Sequence, residues 1–222
     1  MNKVSDRFKK TIEAMLPYTY DELLTALPRQ AARCDKKNTK GRMISCYGFK
    51  ANLLVDTDSQ YILSGLFSLA NLNDQRMAIV LLKGLLLKFP MLKVKYILGD
   101  KGYNCAATYQ LTHSLGACPG ISLIHHKDPP AGMNVDCTPL CTQGHPYRYD
   151  SLDTKYETLT RPSKCKGCEL SGSDLQKMFK IRIQTDLRLY TYSARGSESF
   201  THCTTSVRQW SVCLPISKNV SG

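Results

Sequence analysis

The run Val94-Lys95-Tyr96-Ile97-Leu98-Gly99-Asp100 constrains the fold more than any other stretch of the chain. A short segment of β-branched, aromatic and aliphatic residues bounded by glycine reads as a buried strand. Here it ends in a carboxylate, followed at once by Lys101-Gly102-Tyr103. That pattern predicts an α/β arrangement with Asp100 at the C-terminal edge of its strand, where open α/β sheets carry their sites. An acidic side chain held at such an edge is what metal-dependent phosphoryl transfer requires. The competing reading of Asp100 is a simple strand-end turn residue.

The flanking sequence supplies elements of both kinds. Cys46 to Asp56 and Gln60 to Leu69 read as two strands joined at Thr57-Asp58-Ser59, an antiparallel hairpin. Asn71-Leu72-Asn73-Asp74 offers N-cap residues for a helix from about Gln75 to Lys88, with Met77, Val80, Leu81, Leu85 and Leu87 at near-helical spacing. A second helix spans about Cys105 to Leu115 and stops at Gly116. Gly120 to His125 reads as another buried strand. The order strand, strand, helix, strand, helix, strand predicts a mixed α/β sheet.

Residues 1–33 are polar and weakly helical, split by Pro17, and Arg33 to Arg42 read as a basic loop. The charge balance, 30 Lys and Arg against 18 Asp and Glu, leaves a net +12 that points to a polyanionic partner. Arg33, Lys36, Lys37, Lys40 and Arg42, with Lys101 beside the acid, are the candidate phosphate contacts; a solvated charged face is the plainer alternative. Lys93-Lys95 and Lys177-Lys180-Arg182 are further cationic groups. No leader peptide or membrane span is legible: Met1 to Asp6 runs into charge, and the apolar stretch Met77 to Pro90 is interrupted by Lys83, Gly84 and Lys88. The expectation is a cytoplasmic, nucleoid-associated protein with no membrane partner.

After Pro129-Pro130 the composition shifts to Cys, Gly, Pro and Tyr. Residues 131–180 read as loop-rich and contain Cys137-x-x-x-Cys141 and Cys165-x-x-Cys168. Two readings stand side by side: a structural Zn2+ site on these four thiolates, with His145 as a substitute ligand, or four small buried thiols. His125-His126 read as edge histidines, Tyr147, Tyr149 and Tyr156 as packing residues rather than base-stacking ones, and Asp153, Glu157 and Glu169 have no catalytic neighbour.

With these motifs in order, the chain resembles the catalytic region of bacterial insertion-sequence transposases of the DDE type, in a cysteine-containing branch. The resemblance rests on Tyr47-Gly48-Phe49-Lys50-Ala51-Asn52-Leu53, with Asn52 where His is common, on Ala70-Asn71-Leu72-Asn73-Asp74, and on Gly99-Asp100-Lys101-Gly102-Tyr103. Asp136-Cys137-Thr138-Pro139-Leu140-Cys141, Lys164 to Cys168, Asp186 to Tyr190 and Ala194-Arg195-Gly196-Ser197 continue it. It implies an α/β fold with an RNase H-like mixed sheet flanked by helices, and a Cys-rich, zinc-ribbon-like insertion. It also implies two Mg2+ ions held by two Asp and a Glu, double-stranded transposon-end DNA as partner, and homo-oligomers in the intact family. Asp100 falls on the second aspartate. The first has no clear counterpart: Asp6, Asp21 and Asp35 follow no buried strand, and Asp56, the remaining candidate, reads better as a hairpin-turn residue. The expectation is that the family's first strand lies upstream of Met1. The domain reading is a helical and basic segment 1–45, a partial catalytic core 46–130, the Cys-rich insertion 131–180, a return to the core 181–202, and a tail 203–222.

That tail is unusual. The family carries Tyr-x-x-Arg-x-x-x-Glu-Arg on a helix after the Arg-Gly-Ser match, whereas this chain runs from His202 through Trp210 to Cys213 with little helical apolar pattern. The codons for Cys203 to Val212, read one frame over, accommodate Leu-Tyr-Asn-Lys-Arg-Thr-Ser-Val-Glu-Arg; the single Trp codon fixes the Glu when Ser211 uses an AG-type codon. The expectation is a one-base deletion near His202, an out-of-frame tail, and a chain without strand-transfer activity. The alternative is a non-catalytic, zinc-containing nucleic-acid-binding protein on the same scaffold.

Overall fold

A computed structural model describes residues 11–38, 40–124, 128–160, 162, 178–192 and 194–210, with the side chains of Lys36 and of residues 206–210 outside the description. These residues form two compact units, one up to Lys93 and the other from Val94.

In the first unit, a 3₁₀ turn Glu13–Met15 and helix α1, Tyr20–Thr25, flank Pro17. Thr19 and Glu22 close a capping box, each side chain accepting from the other's backbone N–H (2.9 and 3.3 Å). Strands β1 (Ala32–Lys37), β2 (Met43–Val55) and β3 (Ile62–Leu69) form an antiparallel sheet in that order. β2 changes partners along its length: Met43 to Gly48 oppose β1 and Phe49 to Val55 oppose β3. The basic loop expected at Arg33–Arg42 is therefore corrected. Arg33, Lys36 and Lys37 lie in β1, and among the described residues Asn38 and Lys40 to Arg42 form the turn, with Asn38 Oδ1 accepting from the N–H groups of Lys40 and Arg42 (both 2.9 Å).

Helix α2, Asp74–Lys88, is N-capped by Asn73, whose side chain accepts from Gln75 N–H at 2.8 Å. Met77, Ile79, Val80, Leu81, Leu82 and Leu85 are buried with Met15, Leu23 and Leu69. Lys83 crosses to the Leu16 carbonyl (2.8 Å), and Lys50 bonds the Leu72 carbonyl and Asp74, fixing the helix start to β2. Asn52, where the resemblance expects His, is buried and donates to Ser68 Oγ (2.9 Å).

In the second unit, β4 (Tyr96–Gly99) and β5 (Cys118–Ile121) are parallel, joined through helix α3, Ala106–Ser114. A parallel pair requires such a crossover. Gly116, with φ +68°, ends the helix in the left-handed region as the sequence suggests. The segment read as loop-rich instead contains an antiparallel sheet of β6 (Arg148–Leu152), β7 (Tyr156–Thr160) and β8 (Met178–Arg182). Cys141, Tyr147 and Leu159 form its core, with Tyr149, Phe179 and Ile181 packed against them. Helix α4, Glu198–Trp210, packs on β4 and β5. The run from His202 to Trp210, read as carrying little helical apolar pattern, is thus helical, with Cys203 buried.

Candidate functional site at the carboxyl edge of the parallel strands

β4 delivers Asp100 to the edge of the two-stranded parallel sheet, one residue beyond the register pair Gly99 and Ile121. Asp100 then caps the 3₁₀ turn Lys101–Tyr103, its Oδ1 accepting from Gly102 N–H at 2.7 Å. The side chain is exposed, and among the described residues no hydrogen bond reaches its Oδ2. The motif has a steric reason: a Cβ on Gly102 would meet Asp100 Oδ1 at 2.8 Å, closer than side-chain contacts come. Glycine is thus what lets the carboxylate fold back on the turn through Oδ1. Gly102→Ala is expected to break the bond from the amide at position 102 and swing the Asp100 carboxylate off the turn, with the thermal unfolding midpoint nearly unchanged; hydrogen exchange of that amide alongside a melting curve checks both.

The edge is braced from the β5 side. Asn104 Nδ2 donates to the Ser122 carbonyl (3.2 Å), tying the turn after Asp100 to the end of β5. Arg195 reaches the same end: Nη1 donates to the Ile121 carbonyl (2.8 Å), Nη2 to Tyr109 Oη (2.8 Å), and Nε to the Arg188 carbonyl (2.9 Å), which Nη2 also reaches. Tyr109 is itself buried, donates to the Ile121 carbonyl (3.3 Å), and has its hydroxyl pKa raised by desolvation. Asp186 accepts from the Arg188 guanidinium through both oxygens (3.3 and 3.0 Å); these bonds hold its carboxyl below the usual range although burial opposes them.

Glu157 on β7 is the other notable acid. It is 6% exposed, Oε2 has no hydrogen-bond partner among the described residues, and desolvation lifts its pKa to about 7 against the pull of Arg195. Neither the Arg195 hub nor Glu157 stands out in the sequence. The available signals are the Ala-Arg-Gly-Ser context and the position of Glu157 two residues before the buried Leu159 on one strand.

The remaining candidates are distributed as follows. Asp56 belongs to the first unit, where Oδ2 accepts from Ser59 N–H (2.9 Å) and from its hydroxyl; these bonds lower its pKa and commit it to the hairpin turn. Arg33, Lys37, Lys40 and Arg42 are exposed on the β1–β2 hairpin, with Arg33 paired to Asp35 (3.0 Å), and Lys101 is exposed beside Asp100. Cys137 and Cys141 are buried, and His145 N–H donates to Cys141 Sγ (3.4 Å). Cys165, Cys168, His125 and His126 lie outside the described residues, as does Lys177. Among the described residues, no three His, Cys, Asp or Glu side chains are grouped to hold a metal ion. No described helix is long and apolar enough to cross a membrane.

A family model described as the transposase DDE domain matches residues 23–168, from α1 through the first two sheets and β7 to the second Cys-x-x-Cys. The chain belongs to that family. DDE transposases act in DNA transposition, using divalent metal ions for phosphoryl transfer on DNA, and the mixed α/β architecture is consistent with an RNase H-like DDE fold. No curated protein and no solved structure matches the chain. Within the DDE domain the matched range contains Asp100 and the β1–β2 hairpin, whereas Arg195 and α4 lie beyond it.

Proposed function

We propose that Asp100 is a metal-facing acid of this DDE transposase domain, and that the chain as given binds double-stranded DNA without cutting or joining it. One observation carries the first half: exposed Asp100 commits one oxygen to Gly102 at a parallel strand end, and no hydrogen bond among the described residues takes the other. Mg2+ suits such an oxygen, retaining most of its waters. The described residues fit one corner of a two-ion site rather than a complete one. The second half is supported by the sequence after Ser197, which lacks the family's Tyr-x-x-Arg-x-x-x-Glu-Arg. Incubating the chain and Asp100→Asn with Mg2+ and duplex DNA carrying the inverted repeats that flank its coding sequence tests this. No product above the Asp100→Asn control is expected; nicked or joined ends that vanish in that variant would overturn the inactivity. Sequencing the coding DNA beyond codon 198 tests the frame change, which fails if no downstream frame encodes the Glu motif.

DNA contact falls to the cationic hairpin. Neutralising Lys37, Lys40 and Arg42 together removes three candidate phosphate contacts, and each contributes about 0.9 to the slope of log affinity against log salt. The slope for duplex binding is expected to fall by about 2–3, measured by fluorescence anisotropy from low to moderate salt. An unchanged slope assigns these residues to a solvated face. Transposon-end DNA as the partner, homo-oligomers in the intact family and residence at the nucleoid are the further expectations of the same family reading.

One observation favours the non-catalytic zinc reading as a second possibility. The turn Cys141–His145 aims the His145 N–H at Cys141 Sγ, an arrangement that favours a thiolate ligand. Burial and the carboxylates of Asp186 and Asp136 raise the Cys137 pKa, so without a cation that thiol stays protonated. One equivalent of zinc, lost in a Cys141→Ser variant, supports this reading, and a zinc-free folded protein removes it.

A further inference from the structure

β1 and β2 set Cys34 directly opposite Cys46. Opposed residues of an antiparallel pair project from the same face, with Cα atoms about 4.5 or about 5.5 Å apart by pair class. Both spacings fall inside the roughly 4.4–6.8 Å range that a disulfide spans. The Cys46 thiol already leans across the ladder, donating to the Cys34 carbonyl oxygen at 3.5 Å. On the opposite face, Arg33 donates to Asp35 Oδ1 (3.0 Å) and Ser45 Oγ (3.1 Å), and Ser45 donates to Asp35, which pins the register that opposes the two cysteines. Cys46 is exposed and Cys34 half-buried, so a small reagent reaches both, whereas Cys137, Cys141 and Cys203 are buried.

We propose that Cys34 and Cys46 form a reversible disulfide that staples the cationic hairpin, with a small-molecule disulfide as the oxidant. The thiolate of one cysteine attacks the small disulfide, forming a mixed disulfide and expelling one small thiolate. The second cysteine's thiolate then attacks the protein sulfur of that mixed disulfide, closing the Cys34–Cys46 bond and expelling the second small thiolate. The two protons lost by the cysteines pass to the two expelled thiolates, so one disulfide is reduced as one forms. The ring encloses the turn with Lys37, Lys40 and Arg42, and its closure does not depend on whether that hairpin meets DNA.

Trypsin provides a direct readout, because Arg33, Lys36, Arg42 and Lys50 bracket the two cysteines. The folded chain, incubated with oxidised glutathione, alkylated and digested without reduction, is expected to yield Cys34-Asp35-Lys36 joined to Met43–Lys50 as its dominant linked species. That species weighs two hydrogens less than its parts and disappears on reduction. In Cys34→Ser, Cys46 is expected to stop at the glutathione adduct. Two results overturn the proposal: Cys46 recovered mainly as alkylated thiol, glutathione adduct or a bridge to another cysteine, or the same link in equal yield from chain unfolded in guanidinium.

Discussion

Replacing Arg195 with methionine is expected to destabilise the unit from Val94 onward by about 3 kcal/mol, read as a shift in the urea midpoint of that unit. The guanidinium serves the Ile121 carbonyl, Tyr109 Oη and the Arg188 carbonyl, which lie on three separate segments. Hydrogen bonds from a charged donor contribute about 1.5–3 kcal/mol each where they are desolvated, and the Arg188 carbonyl would lose its Arg195 donor. The guanidinium also lies over the Phe200 ring (5.1 Å to its centroid), a contact methionine replaces only in its apolar part. Arg195→Lys should recover only part of the loss, because one ammonium cannot reproduce the planar fork. Since whole domains are stable by only about 5–15 kcal/mol, the variant should begin to unfold well below the parent's transition. A shift under about 1 kcal/mol for both variants would show that the segments hold together without the hub.

Glu157 sets the second large effect. Its pKa is raised from 4.5 to about 7, so between these values the folded chain holds a proton that the unfolded chain has released. The stabilisation from this linkage is complete below the unfolded value of 4.5 and is lost as pH rises through about 7. At about 1.4 kcal/mol per unit, the loss by pH 8 is on the order of 3 kcal/mol. Glu157→Gln keeps the shape and removes the titration. The variant and the parent should unfold at similar urea concentrations near pH 5, and the variant should be the more stable near pH 8. The lowered carboxyls Asp35, Asp56, Asp153 and Asp186 titrate below this window, so the difference between the two proteins isolates Glu157. Parallel curves across the range would show that the carboxyl gains solvent or a partner on ionising.

The parts of this fold that could be read from sequence are those where one local rule decides. Helix α2 shows its apolar spacing and its Asn73 cap, α3 ends at Gly116, and Asp56 to Ser59 turn the β2–β3 hairpin. Asp100 was legible for the same reason, an apolar run cut off by Gly and Asp. β1 was not, because Arg33-Cys34-Asp35-Lys36-Lys37 carries no apolar alternation; pairing with the equally exposed start of β2 makes it a strand. The β6–β8 sheet escaped because its core is assembled from Tyr147, Leu159 and Phe179 on separate five-residue strands and their flanks, each too short to show a period. Arg195 and Glu157 gain their roles only when α3, β5 and the 186–195 segment meet. Propensity also misjudged residues 203–210, where burial of Cys203 against β5 supports a helix that the polar sequence does not announce.

Whether Asp100 is a metal-facing acid of this DDE domain can be tested without any catalytic turnover. Substoichiometric Mn2+ added to isotope-labelled chain should selectively broaden the backbone amide signals of residues 98–102, with Mg2+ in excess restoring them. The same titration of Asp100→Asn should leave those signals sharp. Broadening at 98–102 that persists undiminished in Asp100→Asn, or that centres elsewhere in the parent, would contradict the assignment.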